Sequence, residues 1–245
     1  MSDPWSALRT TTPARIGLGR TGDALPINDV LAFQLAHARA RDAVHTPLDT
    51  DAIIQAIAPR PHLTVRSQAT DRETYLRRPD LGRLLDLATQ PPVTGPYDAV
   101  FIIADGLSPG GVQRHAPSLL HACLARLTGW KIAPIVIATQ ARVALGDEIG
   151  ALLQATLSVV LIGERPGLSV ANSLGVYLTH QPRPGRLDAQ RNCISNIHGQ
   201  GLSIDAAADM LAWLMTEARH RKLTGVDLKD DRDRIAAATP AVPAR

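Results

Sequence analysis

The chain has 245 residues, 45% of them hydrophobic and 20% charged, enough for one large domain or a compact domain with a substantial extension. No stretch approaches the roughly 20 uninterrupted apolar residues of a membrane span, and "MSDPWSALRTTTPAR" lacks the apolar region and small-residue cleavage site of a secretory leader, so a cytoplasmic protein is expected. The net charge of +3 arises from 26 Lys and Arg interspersed with 23 Asp and Glu, and aromatics are only 3%, which argues against a nucleic-acid binder with its basic patch and stacking platform.

Residues 1–25 read as extended. "LPINDVLAFQLAHARARDAVHTPLD" carries a helix signal, with Asn28 or Asp29 as cap and Pro47 as stop. A second helix is expected at "DTDAIIQAIA", ended by the Pro-Arg-Pro at 59–61, and a broken helical pair at "DRETYLRRPDLGRLLDLATQ". With "PPVTGP" at 91–96 as a linker, residues 1–95 form a helical, basic N-terminal extension with little sheet, and residues 96–245 a second unit. That unit alternates apolar runs with helices: "YDAVFIIADGLS" (97–108), a helix over 115–130, a second run and a helix or turn in 131–150, "ATLSVVLIGERPGLS", "SLGVYLTH" (173–180) and a long amphipathic helix over 203–225. Such alternation predicts an α/β fold, an open, mostly parallel, Rossmann-like sheet flanked by helices. Ligands of these sheets bind at the carboxyl ends of the strands. Glu164 and Arg165 stand where the third run ends, either in a solvated turn or facing a ligand.

Several motifs resemble known sites without their context. "GLGRTG" (17–22) fits the dinucleotide fingerprint by letter, but only "ARI" precedes it and Pro26 breaks the segment after it, so no strand-to-helix turn receives a pyrophosphate. "DGLSPGG" (105–111) is a glycine-rich turn with no Lys-Ser/Thr pair, open to either a structural or a ligand-contacting reading. The eight histidines include no H-x-x-x-H pair, and Cys123 and Cys193 form no CxxC, so neither a metal site nor a disulfide framework is indicated. "RNCISNIHGQGLS" (191–203) reads as a polar loop, able to meet an amide-rich ligand or to satisfy its own backbone.

Taken together, "ARIGLGRTG", "LAFQLAHARARDAVHTPLD", "ADGLS", "RVALGDEIG", "VVLIGERPGLS", "SLGVYLTHQPRPGRLDAQRNCISNIHGQGLS" and "LTGVDLKD" resemble the small (light) subunit of ethanolamine ammonia-lyase, in order from about residue 14 to about residue 230. The resemblance implies half of an adenosylcobalamin-dependent enzyme that converts ethanolamine to acetaldehyde and ammonia by radical rearrangement. It implies a barrel-type large subunit carrying the catalytic groups, with this chain covering the lower face and nucleotide tail of the cofactor; location inside a bacterial microcompartment is compatible with it. No catalytic or metal-binding residue is therefore assigned to this chain. By the same resemblance Val143 in "RVALGDEIG", Glu164 in "IGERPG" and Cys193 in "RNCISNI" are cofactor-binding positions. No histidine has an Asp two residues before it, so the Asp-x-His-x-x-Gly loop of base-off cobalamin proteins is missing and base-on binding is expected as far as this chain goes. A nucleotide-dependent oxidoreductase and a non-catalytic interaction protein are the competing readings.

Overall fold

The computed structural model describes residues 3–12, 14–92 and 95–232; part of the 91–96 linker and the end of the second unit, 233–245, lie outside them. The described chain opens with a one-turn helix α1 (Ser6–Arg9), followed by α2 (Ile27–His45) and α3 (Thr50–Ile57). Helix α3 ends before Pro59 as expected, and the structure adds a cap the sequence reading did not single out, the Asp49 carboxylate accepting from Ala52 N at 3.0 Å. Helix α2 starts at Ile27 behind Pro26, without a side-chain cap, and runs to His45. A short strand β1 (His62–Arg66) comes next, then α4 (Arg72–Arg77), capped by Asp71, and two 3-10 turns at Leu81–Arg83 and Leu87–Thr89.

The four expected apolar runs are strands: β2 (Tyr97–Ala104), β3 (Ile135–Thr139), β4 (Ala155–Gly163) and β5 (Leu174–His180). Between them lie α5 (Pro109–Arg126) and α6 (Leu145–Leu152). Beyond them lie β6 (Arg191–Ile197) and α7 (Ile204–Arg221), whose first turn is capped by Ser203. Helix α5 begins six residues before the expected start. Gly110 and Gly111 fill its first turn, where a Cβ at Gly110 would meet the Asn172 side chain and one at Gly111 the Ser173 backbone. Packing of the loop decides here against the poor intrinsic helix propensity of glycine.

The six strands form one sheet in the order β1-β3-β2-β4-β5-β6. The pairings β1–β3, β3–β2 and β2–β4 are parallel, whereas β4–β5 and β5–β6 are antiparallel. The sheet is thus mixed rather than simply parallel. The loop between Gly163 and Leu174 is too short to carry a crossover helix, so the chain turns back beside β4. A further difference lies at 191–197, expected as loop and found as an edge strand with Arg191, Ile194 and Ile197 buried. Its polar Asn192 does specific work: Nδ2 donates to Leu228 O at 2.8 Å and Oδ1 accepts from Gly225 N at 2.8 Å, docking the "LTGVDLKD" segment.

Two apolar layers cover the sheet. Phe101, Ile103, Ile137, Val159 and Leu161 point to the face held by α3, α5 and α7. Val100, Ile102, Val136, Val160 and Ile162 point to the face held by α6 and Leu85. Within residues 1–95, α3 buries Ile53 and Ile57 in the first layer and β1 completes one sheet edge, while α2 buries only Ala43. No helix among the described residues is long and apolar enough to cross a membrane.

One buried ion pair ties the two antiparallel strands to α6. Arg191 on β6 donates to both Asp147 oxygens at 2.7 Å, with each side chain 2% exposed, and also to Thr179 Oγ1 at 2.9 Å. Removing one member leaves the other charge buried and unmatched. Arg191→Met is expected to cost about 3–5 kcal/mol of unfolding free energy. Asp147→Leu combined with Arg191→Met is expected to lose less than Arg191→Met alone, measured by chemical denaturation of each variant.

Candidate functional site

The chain passes from β2 through α5 to β3 on one side and from β3 through α6 to β4 on the other, so the loops diverge at the carboxyl ends of β2, β3 and β4. Open α/β sheets place ligands at such a divergence. The loops are held together by Asp105, the first residue past β2, which is 3% exposed. Its carboxylate accepts from Gly106 N (2.9 Å), from Gln140 N (2.8 Å) and Ala141 N (2.9 Å) past β3, and from Arg72 Nη1 at 3.4 Å. Burial pushes the Asp105 carboxyl up from its ordinary range, and the backbone N–H groups together with the Arg72 guanidinium oppose that push by favouring the charged form. Gly106 makes the turn possible: it has φ +58°, and a Cβ there would strike the Gly163 carbonyl, which instead accepts from Leu107 N at 3.0 Å.

A cavity of about 450 Å³ opens over this framework, lined by Tyr75, Leu107, Arg142, Val143, Glu164 and Tyr177 among others. Val143 and Glu164, from different loops, thus share one cavity wall. Glu164 follows β4 directly; its two carboxylate oxygens each lie 3.2 Å from Asn196 N, and its own N donates to Ser173 O at 3.1 Å. Gly175 gives that carboxylate room, since a Cβ there would stand 3.1 Å from Glu164 Oε1. Cys193 does not line the cavity itself but is the cross-strand partner of Tyr177, which does. Its exposed thiol is raised from the ordinary value by burial of the surrounding region, with the Glu164 charge adding and the Tyr177 hydroxyl opposing. Burial, helped by Cys193 and the Glu164 charge, pushes Tyr177 up to about 12, so both groups are protonated donors at neutral pH.

The remaining motifs fall elsewhere. In "DGLSPGG", Gly106 and Leu107 line the cavity, while Ser108 is buried as the α5 cap and donates to Ala171 O at 3.0 Å. "GLGRTG" is irregular chain running into a turn closed between Thr21 and Ala24, with no strand before it among the described residues. Tyr75, Arg142 and Tyr177 were not singled out from sequence. Arg142 adjoins Val143 within a quoted motif and Tyr177 lies inside a strand run, but nothing local signals that α4 brings Tyr75 to the far ends of β2 and β3. The Tyr75 hydroxyl donates to Ala141 O at 3.2 Å, and its ring is 0% exposed.

A mixed sheet with helices on both faces and an open cavity at its strand ends makes this an α/β protein. Comparison with known proteins makes this specific. Residues 2–229 match the family described as ethanolamine ammonia-lyase light chain (EutC). The ethanolamine ammonia-lyase small subunit of Xanthomonas campestris pv. campestris is 52% identical, over 97% of this chain and 91% of that protein. The small subunits of Azotobacter vinelandii (52% identical, 94% and 90% covered) and Rhodopseudomonas palustris (52%, 96% and 92%) are similarly close. The chain belongs to the ethanolamine ammonia-lyase light-chain family.

Asp105→Asn replaces an acceptor-only group by one that turns an amide NH₂ toward donors and leaves Arg72 without its counter-charge. A loss of about 3 kcal/mol in unfolding free energy is expected, with the Gln140 and Ala141 amides losing protection in hydrogen exchange ahead of the β4 amides.

Proposed function

We propose that this chain is the small subunit of an adenosylcobalamin-dependent ethanolamine ammonia-lyase, and that its strand-end cavity takes the lower face and nucleotide tail of the cofactor. The observation that carries the reading is the convergence of Val143 and Glu164 on one cavity, with Cys193 beside Tyr177 in its wall. The residues present suit such a ligand. The amide side chains of a corrin need both acceptors and donors, and the cavity offers the Glu164 carboxylate, the Arg142 guanidinium and the Tyr177 hydroxyl over an apolar floor of Leu107, Val143 and Ile162. When bound, the cofactor supplies the radical chemistry, through its cobalt–carbon bond. This chain's residues hold and orient it: Glu164 accepts from amide N–H groups, Tyr177 donates, and Val143 and Leu107 exclude water from the contact.

The cavity is open and smaller than a corrin with its nucleotide, so a second polypeptide supplies the opposite wall and the reacting groups. A large subunit fits that role, and α2 is the docking element we assign to it. Ile27, Leu31 and Leu35 recur at every fourth position of this helix and are 67%, 54% and 51% exposed. An apolar helical stripe left in water is the usual face for a partner. Leu31→Glu with Leu35→Glu is expected to abolish co-purification with the large subunit while leaving the melting temperature of the isolated chain unchanged. Intact co-purification would contradict the assignment.

Reconstitution tests the main reading. Acetaldehyde formation from ethanolamine should require this chain, the large subunit and adenosylcobalamin together. Glu164→Gln in the complex should weaken cofactor binding by about tenfold, the value of one charge-assisted hydrogen bond, measured by equilibrium dialysis. Full activity without this chain would overturn the proposal.

A further inference from the structure

Arg142, immediately before Val143, is an oriented cation without a counter-charge. Its backbone N donates to Gly82 O at 2.8 Å, and its guanidinium lies 4.3 Å from the centroid of the Tyr75 ring, with Nη2 3.3 Å from Tyr75 O. Gly82 provides the space for this stack, because a Cβ there would stand 2.9 Å from Arg142 Cγ and 3.0 Å from Tyr75 Cδ2. The same ring also carries the Arg72 guanidinium at 4.7 Å, but Arg72 has Asp105 for its charge. Among the described residues no carboxylate lies within 4.0 Å of Arg142.

Its Nε is buried and makes no hydrogen bond. Of the five buried side-chain atoms in that condition among the described residues, three (Arg72 Nη2, Gln140 Oε1 and Arg142 Nε) belong to residues of this one network at the ends of β2 and β3. Unmet hydrogen-bonding capacity is rare in folded proteins and calls for a partner. Here it gathers beside an open cavity that Arg142 itself lines.

We infer that Arg142 is a ligand-recognition residue, its guanidinium donating to an acceptor oxygen of the bound group. This rests on the cobalamin reading above. Cobalamin offers two such oxygens: the phosphodiester of its nucleotide arm and the carbonyls of its corrin amides. A planar guanidinium fixed on an aromatic ring suits either, and its orientation is set before the ligand arrives.

The test uses the assembled two-subunit complex carrying wild-type chain, Arg142→Met or Arg142→Lys. Binding of cobalamin and of cobinamide, which keeps the corrin amides but lacks the phosphodiester arm, is measured by equilibrium dialysis. Arg142→Met should weaken cobalamin binding by about ten- to a hundredfold, and Arg142→Lys, which keeps the charge but loses the fork, should fall between. A loss confined to cobalamin identifies the phosphodiester as the partner, and an equal loss for both ligands identifies an amide carbonyl. Unchanged affinity of both ligands for Arg142→Met, in a complex of unchanged melting temperature, would overturn the inference while leaving the cofactor reading intact. A wild-type complex that binds neither ligand would instead overturn the reading on which it rests.

Discussion

A buried carboxylate holds the working end of this molecule together. Asp105 gathers the backbone N–H groups of Gly106, Gln140 and Ala141 and the guanidinium of Arg72, so the loops leaving two neighbouring parallel strands cannot separate without leaving a charge and several donors unmet. The cavity residues past β2 and β3 hang from that junction. Ala141 leads directly into Arg142 and Val143, Gly106 leads into Leu107, and the Ala141 carbonyl takes the Tyr75 hydroxyl. The Glu164 side is fixed separately, by Asn196 N donating to the Glu164 carboxylate and Glu164 N donating to Ser173 O.

The resulting division of labour suits a chain that works against another. Its own core is complete: both sheet faces are covered, and the largest side chains are sealed within them. Its cavity, by contrast, is open, and α2 lies on the outside with its apolar residues in water. A protein whose task ended at its own surface would have little reason to leave both features exposed. The proposed cobalamin and the proposed large subunit account for one each.

Much of the scaffold was legible in the sequence because it is written in apolar runs. Strands β2 to β5 are hydrophobic segments, with Asp-Gly following β2 and Pro-Gly a few residues past β4 and β5, and α7 carries its cap in Ser203. The edges were not legible. In β1 only Val65 of the five residues is buried, and β6 carries Asn192, Cys193, Ser195 and Asn196, so neither shows a hydrophobic pattern. Both take their conformation from a neighbour's free backbone rather than from their own side chains. The same holds for the site. Glu164 was readable as a residue at a strand end, and Val143 and Cys193 came from the family resemblance. The placement of Tyr75, by contrast, depends on α4 docking at the loop past β3, a tertiary fact with no local signature.

The account turns on whether the strand-end cavity is where the coenzyme rests. The most direct measurement is a structure of this chain in complex with its large subunit and cobalamin. The account predicts the corrin underside and nucleotide arm against the loops at 143 and 164, with β6 at 193 alongside. Cobalamin bound in the complex but remote from all three positions would contradict it.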